Sequence, residues 1–141
     1  MLAKASKTVD SSQPLKGMRT VSFMWTTDNS TSLQYSGASM VHGTLREAPP
    51  ALIPAGSQGL RGGLATTSGV YTGTEGRFTF ILPGVATPTP CKMTLYFDKP
   101  FWGSNEYSCT LSADCGGKVS CSVGNGEGEL ADLLTTVRRS S

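Results

Sequence analysis

His42 is the only histidine in the sequence and stands between Val41 and Gly43. A Ser-His-Asp relay needs an imidazole base beside a presented serine, and no Gly-x-Ser-x-Gly turn accompanies it. His42 therefore reads as an ordinary strand-end histidine. The four cysteines, Cys91, Cys109, Cys115 and Cys121, lack the Cys-x-x-Cys spacing that zinc sites use, since each neighbouring pair after Cys109 leaves five residues between its members. One histidine without such a pair excludes the usual metal centres. Glu127 and Glu129 are the only close carboxylate pair, and they sit in a glycine-rich turn where water solvates them. A glycosidase needs its two carboxyls facing each other in a cleft. Gly73-Thr74-Glu75-Gly76 has the look of a phosphate loop but leads into a strand, so no helix N-terminus faces a phosphate. No catalytic set, cofactor or metal is expected, and the chain reads as a non-enzyme.

Binding chemistry is concentrated instead in "YFDKPFWGSNEY", residues 96 to 107, with five aromatic rings in twelve positions. Pro100 would not sit inside a core strand, and a plain surface turn has little use for Phe101 beside Trp102. Tyr96, Phe97 and Tyr107 fall on flanking strands, so part of the cluster reads as core. Pro100, Phe101 and Trp102 cannot all point inward, because successive residues diverge. An indole with one apolar face and one N–H donor suits the boundary between bilayer and water. Phe101 and Trp102 are thus the candidate membrane contacts. Tyr96, Tyr107, Lys99, Asp98 and Ser104 are the nearby polar groups able to fix a lipid headgroup. A soluble lectin is the alternative, with the same rings stacked on sugar; a structural or storage protein would use the loop for nothing.

Period-two patterning supplies the elements that must hold such a loop. Val21, Phe23 and Trp25 alternate with Ser22 and Met24, and Phe78 and Phe80 with Arg77 and Thr79. Met93, Leu95 and Phe97 do the same, followed by Tyr107, Cys109 and Leu111 and then Val119, Cys121 and Val123. Turns bearing Gly or Pro separate them, "APPALIPAGSQG", "LPGVATPTP", "KPFWGSN", "CGG" and "GNGEG". "GELADLLTTV" has leucines at helical spacing, but Thr135, Thr136 and Val137 favour a terminal strand. Charged residues are only 16% of the chain, while Ser, Thr and Gly each number 17, a balance that suits strands and tight turns. The expectation is an all-β chain, a single-domain antiparallel β-sandwich of about 8–10 short strands over residues 18–141. A polar, mobile N-terminal arm of residues 1–17, containing Pro14, precedes it.

The net charge of +2, with no basic run longer than Arg138-Arg139, marks no nucleic-acid footprint. No apolar run in the N-terminal stretch has the length of a secretory core, and none elsewhere approaches a membrane span. The expectation is a chain that is cytoplasmic or released without a conventional signal, acting at target membranes. The sequon Asn29-Ser30-Thr31 is then unused, and the four cysteines are expected as reduced thiols, with Cys109 and Cys121 as small buried hydrophobes.

The segments "HGTLREAPPALIPAGS", "SGVYTGTEGRFTF", "LYFDKPFWGSNEY" and "GEGELADLLTTVRR" resemble, in order and spacing, those of the aegerolysins. These are small β-sandwich proteins, chiefly fungal and bacterial, that recognise membrane lipids. Gly73, Thr74, Gly76 and Phe78 match one family segment. Tyr96, Asp98, Pro100, Gly103 and Ser104 match another, with one residue inserted near Phe101 or Trp102 and Phe97 where tryptophan is usual. The likeness covers about residues 20 to 139. Pro49-Pro50 and Asn105-Glu106-Tyr107-Ser108 are more similar to actinoporin-like pore formers, although residues 1–17 are too polar for that family's amphipathic helix. Either resemblance implies a cytolysin- or hemolysin-like lipid binder. The first implies a second pore-forming protein as partner, and the second implies self-assembly into a homo-oligomer on membranes.

Overall fold

Alternation along the chain becomes two facing sheets in the computed structural model, which describes residues 19–67, 72–85, 89–125 and 130–140. Ten strands are present among the described residues: β1 Thr20–Thr27, β2 Leu33–His42, β3 Thr44–Glu47, β4 Leu52–Ile53, β5 Leu60–Thr66, β6 Thr74–Leu82, β7 Cys91–Lys99, β8 Glu106–Leu111, β9 Val119–Asn125 and β10 Leu130–Arg139. One sheet has the order β3-β5-β1-β10-β9 and the other β4-β2-β6-β7-β8. The expected all-β sandwich is therefore what the chain adopts. The expected arm, residues 1–17, lies outside the described residues, as does the Glu127 and Glu129 pair.

Every second residue of β1, β6 and β7 points between the sheets, because side chains alternate across a strand. Phe23 and Trp25 of one sheet interdigitate with Phe78, Phe80 and Phe97 of the other, all wholly buried. Ring centroids stand 4.8 Å apart for Phe23 and Phe78, 5.0 Å for Phe23 and Phe97, and 5.0 Å for Trp25 and Phe80. Edge-to-face pairs of this kind add about 0.5–1.5 kcal/mol each beyond the area they bury. The Trp25 indole N–H, which burial would otherwise strand, donates to the Gly62 carbonyl at 2.7 Å.

Three sequence expectations are corrected. First, the sheets are not wholly antiparallel: β1 and β10 pair in parallel, Phe23 opposite Leu133 and Trp25 opposite Thr135. The first and last strands lie side by side, so everything between them serves as the long crossover a parallel pair needs. The closing stretch is a strand, as Thr135, Thr136 and Val137 led one to expect; Leu133 and Val137 face the core and Leu134 the other way. Second, the proline-rich turn "APPALIPAGSQG" contains β4, whose Ile53 is a core residue.

Third, no cysteine is a free thiol. Cys91 is bonded to Cys115 and Cys109 to Cys121, with Cα–Cα separations of 4.5 and 6.0 Å. Cys109 and Cys121 do lie on inward phases. However, β8 and β9 are the edge strands of opposite sheets, so their inward cysteines meet and bolt the sandwich along one side. Cys91 opens β7 and meets Cys115 in the short 3-10 turn Ala113–Cys115 that follows β8. The opposite side is closed by the chain itself, since β2 passes into β3 of the other sheet across Gly43. There φ is +89°, and a Cβ would stand 2.6 Å from the Thr66 carbonyl oxygen, so only glycine fits.

Candidate functional site

One end of the sandwich gathers the start of β1, the end of β2, the start of β6, the end of β7 and the start of β8. β7 stops at Lys99 because Pro100 has no N–H to extend the ladder, and residues 100–105 then arch over this end before β8 begins. The β5–β6 connection comes close beneath: a Cβ on Gly73 would lie 2.9 Å from the Cα of Pro100. Glycine at 73 thus lets two backbones touch and seats the loop.

The two leading rings part company. Trp102 is 82% exposed, the most exposed large apolar side chain among the described residues. Phe101 is half-buried, where joint exposure of the pair was expected. Its ring takes the Arg19 guanidinium carbon at 4.8 Å from the centroid and meets the edge of Trp102 at 4.7 Å, nearly perpendicular at 88°. Arg19 also donates to the Phe101 carbonyl at 3.1 Å.

Beside the rings opens a cleft of about 440 Å³, lined by Gly73, Pro100, Phe101 and Trp102 together with His42, Thr72, Glu75 and Asp98. The polar lining follows from register. Asp98 of β7 lies opposite Glu75 of β6 and Glu106 of β8, and Glu75 lies opposite His42 of β2, so three carboxylates and an imidazole form one row across four strands. Tyr96 donates its hydroxyl to Glu75 at 2.6 Å, and the His42 Nε2 stands 3.8 Å from the same carboxylate. Burial, then the charges of Glu75 and Glu106, hold the Asp98 carboxyl above the usual aspartate range, opposed in part by the neighbouring Tyr96 hydroxyl and His42 imidazole. The Tyr96 phenol is pushed well up, first by its bond to Glu75, then by burial and the surrounding negative charges. It remains a donor at any physiological pH.

A raised Asp98 means that folding favours its neutral form. The stability it contributes is complete below the unfolded aspartate pKa and is lost as pH rises through the folded one. Asp98→Asn should therefore melt higher than the parent at pH 7, and the difference should vanish toward pH 3. The gain should be a few degrees at most, because water screens a partly exposed carboxylate. Thermal melts of both proteins at the two pH values check this; a lower melting point for the variant at pH 7 would contradict it.

Of the residues singled out in the sequence, Phe101, Trp102 and Asp98 meet at the cleft, with Tyr96 joined to it through Glu75. Ser104 is exposed on the loop beyond Trp102. Lys99 is corrected: it continues the inward phase of Met93, Leu95 and Phe97 and is only 2% exposed, so its ammonium is not a surface headgroup contact. Tyr107 packs half-buried against the core and belongs with it. Arg19, Glu75, Glu106 and His42 enter the site without having been picked out for it. Among the described residues no group of three His, Cys, Asp or Glu side chains could hold a metal ion, and no helix is long and apolar enough to cross a membrane.

No protein-family model matches the chain, and no curated protein matches it. Among solved structures it is similar to that of a lipid-binding protein, Nakanori, with a TM-score of 0.64 and 9% sequence identity over 84% of this chain and 70% of that one. At that identity, what the two chains share is the fold.

Proposed function

We propose that this protein docks on membrane lipid through the β7–β8 loop, Trp102 entering the interface while polar groups of the cleft hold a headgroup. The observation that carries the reading is the exposure of Trp102 on a loop beside a cleft that also holds His42, Glu75 and Asp98. A stable domain gains nothing in water from displaying an indole at the end of its sandwich, whereas the bilayer boundary rewards one. The solved neighbour with this fold is itself described as lipid-binding, which supports the same reading. The motif resemblance to aegerolysins extends it to a docking protein that perforates only with a second component. The two disulfides fit a setting outside the reducing cytosol, and so a protein acting on target membranes after release.

Sedimentation with liposomes of varied sphingolipid, phospholipid and sterol content, scored together with dye release, tests this. Binding without release is the expected result. Binding with release by the pure protein would replace the two-component reading with an actinoporin-like one. Binding to a glycan array with none to any liposome would overturn lipid docking in favour of a lectin.

A further inference from the structure

The docking loop has no ladder hydrogen bonds of its own, yet it is fastened from a distant point in the chain. Arg19, 82 residues away, grips it twice: the guanidinium donates to the Phe101 carbonyl at 3.1 Å and lies over the Phe101 ring at 4.8 Å. Arg19 is itself anchored. Its carbonyl accepts from the Thr74 hydroxyl at 2.6 Å and from the Thr67 backbone N–H at 3.1 Å, which ties it to the start of β6 and the end of β5. The next residue, Thr20, opens β1, and its hydroxyl pairs with that of Thr66 at 2.8 Å. A rigid base and a planar side chain thus reach the loop together.

We propose that Arg19 is a positioning residue for the docking loop, a latch that holds Phe101 back against the sandwich so that Trp102 alone is presented outward. The role rests on the lipid-docking reading above for its purpose, though not for its geometry. Phe101 touches both the guanidinium and, nearly perpendicular at 4.7 Å, the Trp102 ring, so whatever fixes Phe101 also orients the indole. An ordered indole loses less freedom on docking than a mobile one, which is how a contact remote from the bilayer raises affinity for it. Lysine would not substitute: its point charge cannot place a flat donor over a ring and reach a carbonyl at the same time.

The two tryptophans make the latch measurable without lipid. Trp25 is wholly buried, so acrylamide in solution reports on Trp102. In Arg19→Ala, quenching of the exposed indole should rise and its fast nanosecond anisotropy decay should grow, while the melting temperature stays close to that of the parent. Binding to vesicles of phosphatidylcholine, sphingomyelin and cholesterol should weaken about 3- to 10-fold, the scale of one exposed cation–π contact and its accompanying hydrogen bond. Arg19→Lys should recover less than half of either loss. Phe101→Leu, which keeps apolar bulk but removes the ring under the guanidinium, should loosen Trp102 in the same way and serves if Arg19→Ala fails to fold. Unchanged anisotropy and quenching in both variants would overturn the latch whatever the vesicles do. Loosened anisotropy in a protein whose parent binds no vesicle would keep the latch and remove the docking reading.

Discussion

Replacing Trp102 by Ala should weaken binding to liposomes by about 10- to 150-fold, the cost of roughly 1.5–3 kcal/mol of indole burial lost from the interface. The melting temperature should stay where it is. Trp102 is 82% exposed in solution, so its removal opens no cavity and strands no polar group. Its indole gains burial only when the loop meets a bilayer, and that gain is what the variant forfeits. Phe97→Ala, three positions before Pro100, is the control of opposite sign: its ring is wholly buried among Phe23 and Phe78, and truncation there costs about 3–5 kcal/mol of stability. Phe101→Ala falls between the two, because its half-buried ring is held by Arg19. Sedimentation and thermal melts on the same three variants separate the roles. If Trp102→Ala melts many degrees lower and binds normally once its folded fraction is counted, the indole serves packing and the loop has no docking role.

The loop was legible because composition alone marks it: no strand would take Pro100, and no turn needs Phe101 and Trp102. The strongly alternating strands β1, β6, β7, β8 and β9 were legible for the same kind of reason, since the period of two is a local property. β2 was hidden by its own irregularity. Its pairing with β6 shifts between Tyr35 and Gly37 and again between Met40 and His42, and each slip breaks the alternation. β5 was hidden by Gly62 and Gly63, which bring no side chain to the alternation and serve close packing, Gly62 under Pro50 and Gly63 against Phe23. Lys99 shows the opposite error. The phase of Met93, Leu95 and Phe97 carries straight on to it and predicts an inward side chain, and the charge of the residue argued against its own position. The carboxylate row was out of reach for a different reason. Glu75, Asp98 and Glu106 become neighbours only through strand register, and Arg19 meets Phe101 across 82 residues. No local pattern encodes either meeting.

Reducing both disulfides should bring the protein close to its unfolding threshold. Cys91–Cys115 closes a span of 24 residues and Cys109–Cys121 one of 12. On the loop-closure account, cross-links of that size stabilise by about 3.5 and about 2.8 kcal/mol. Typical domains have only about 5–15 kcal/mol in total, so losing both removes a large share. Each bridge should be worth about 10 °C in melting temperature for a chain of this size. The spacing of the four cysteines gave no sign of this, because the partners are chosen by sheet edges: β8 and β9 close opposite sheets, and the inward phase that made Cys109 and Cys121 look like small hydrophobes is the phase that brings them together. Thermal melts with and without reductant, on the parent and on the Cys91→Ser/Cys115→Ser and Cys109→Ser/Cys121→Ser double variants, measure each contribution. Thiol titration of the denatured, unreduced protein should find no free thiol. Neither bridge lies in the loop of residues 100–105, so each double variant, kept below its own melting point, should sediment with liposomes as the parent does. Finding four titratable thiols, or melts indifferent to reductant, would return the cysteines to the free state expected of a chain made without a secretory signal.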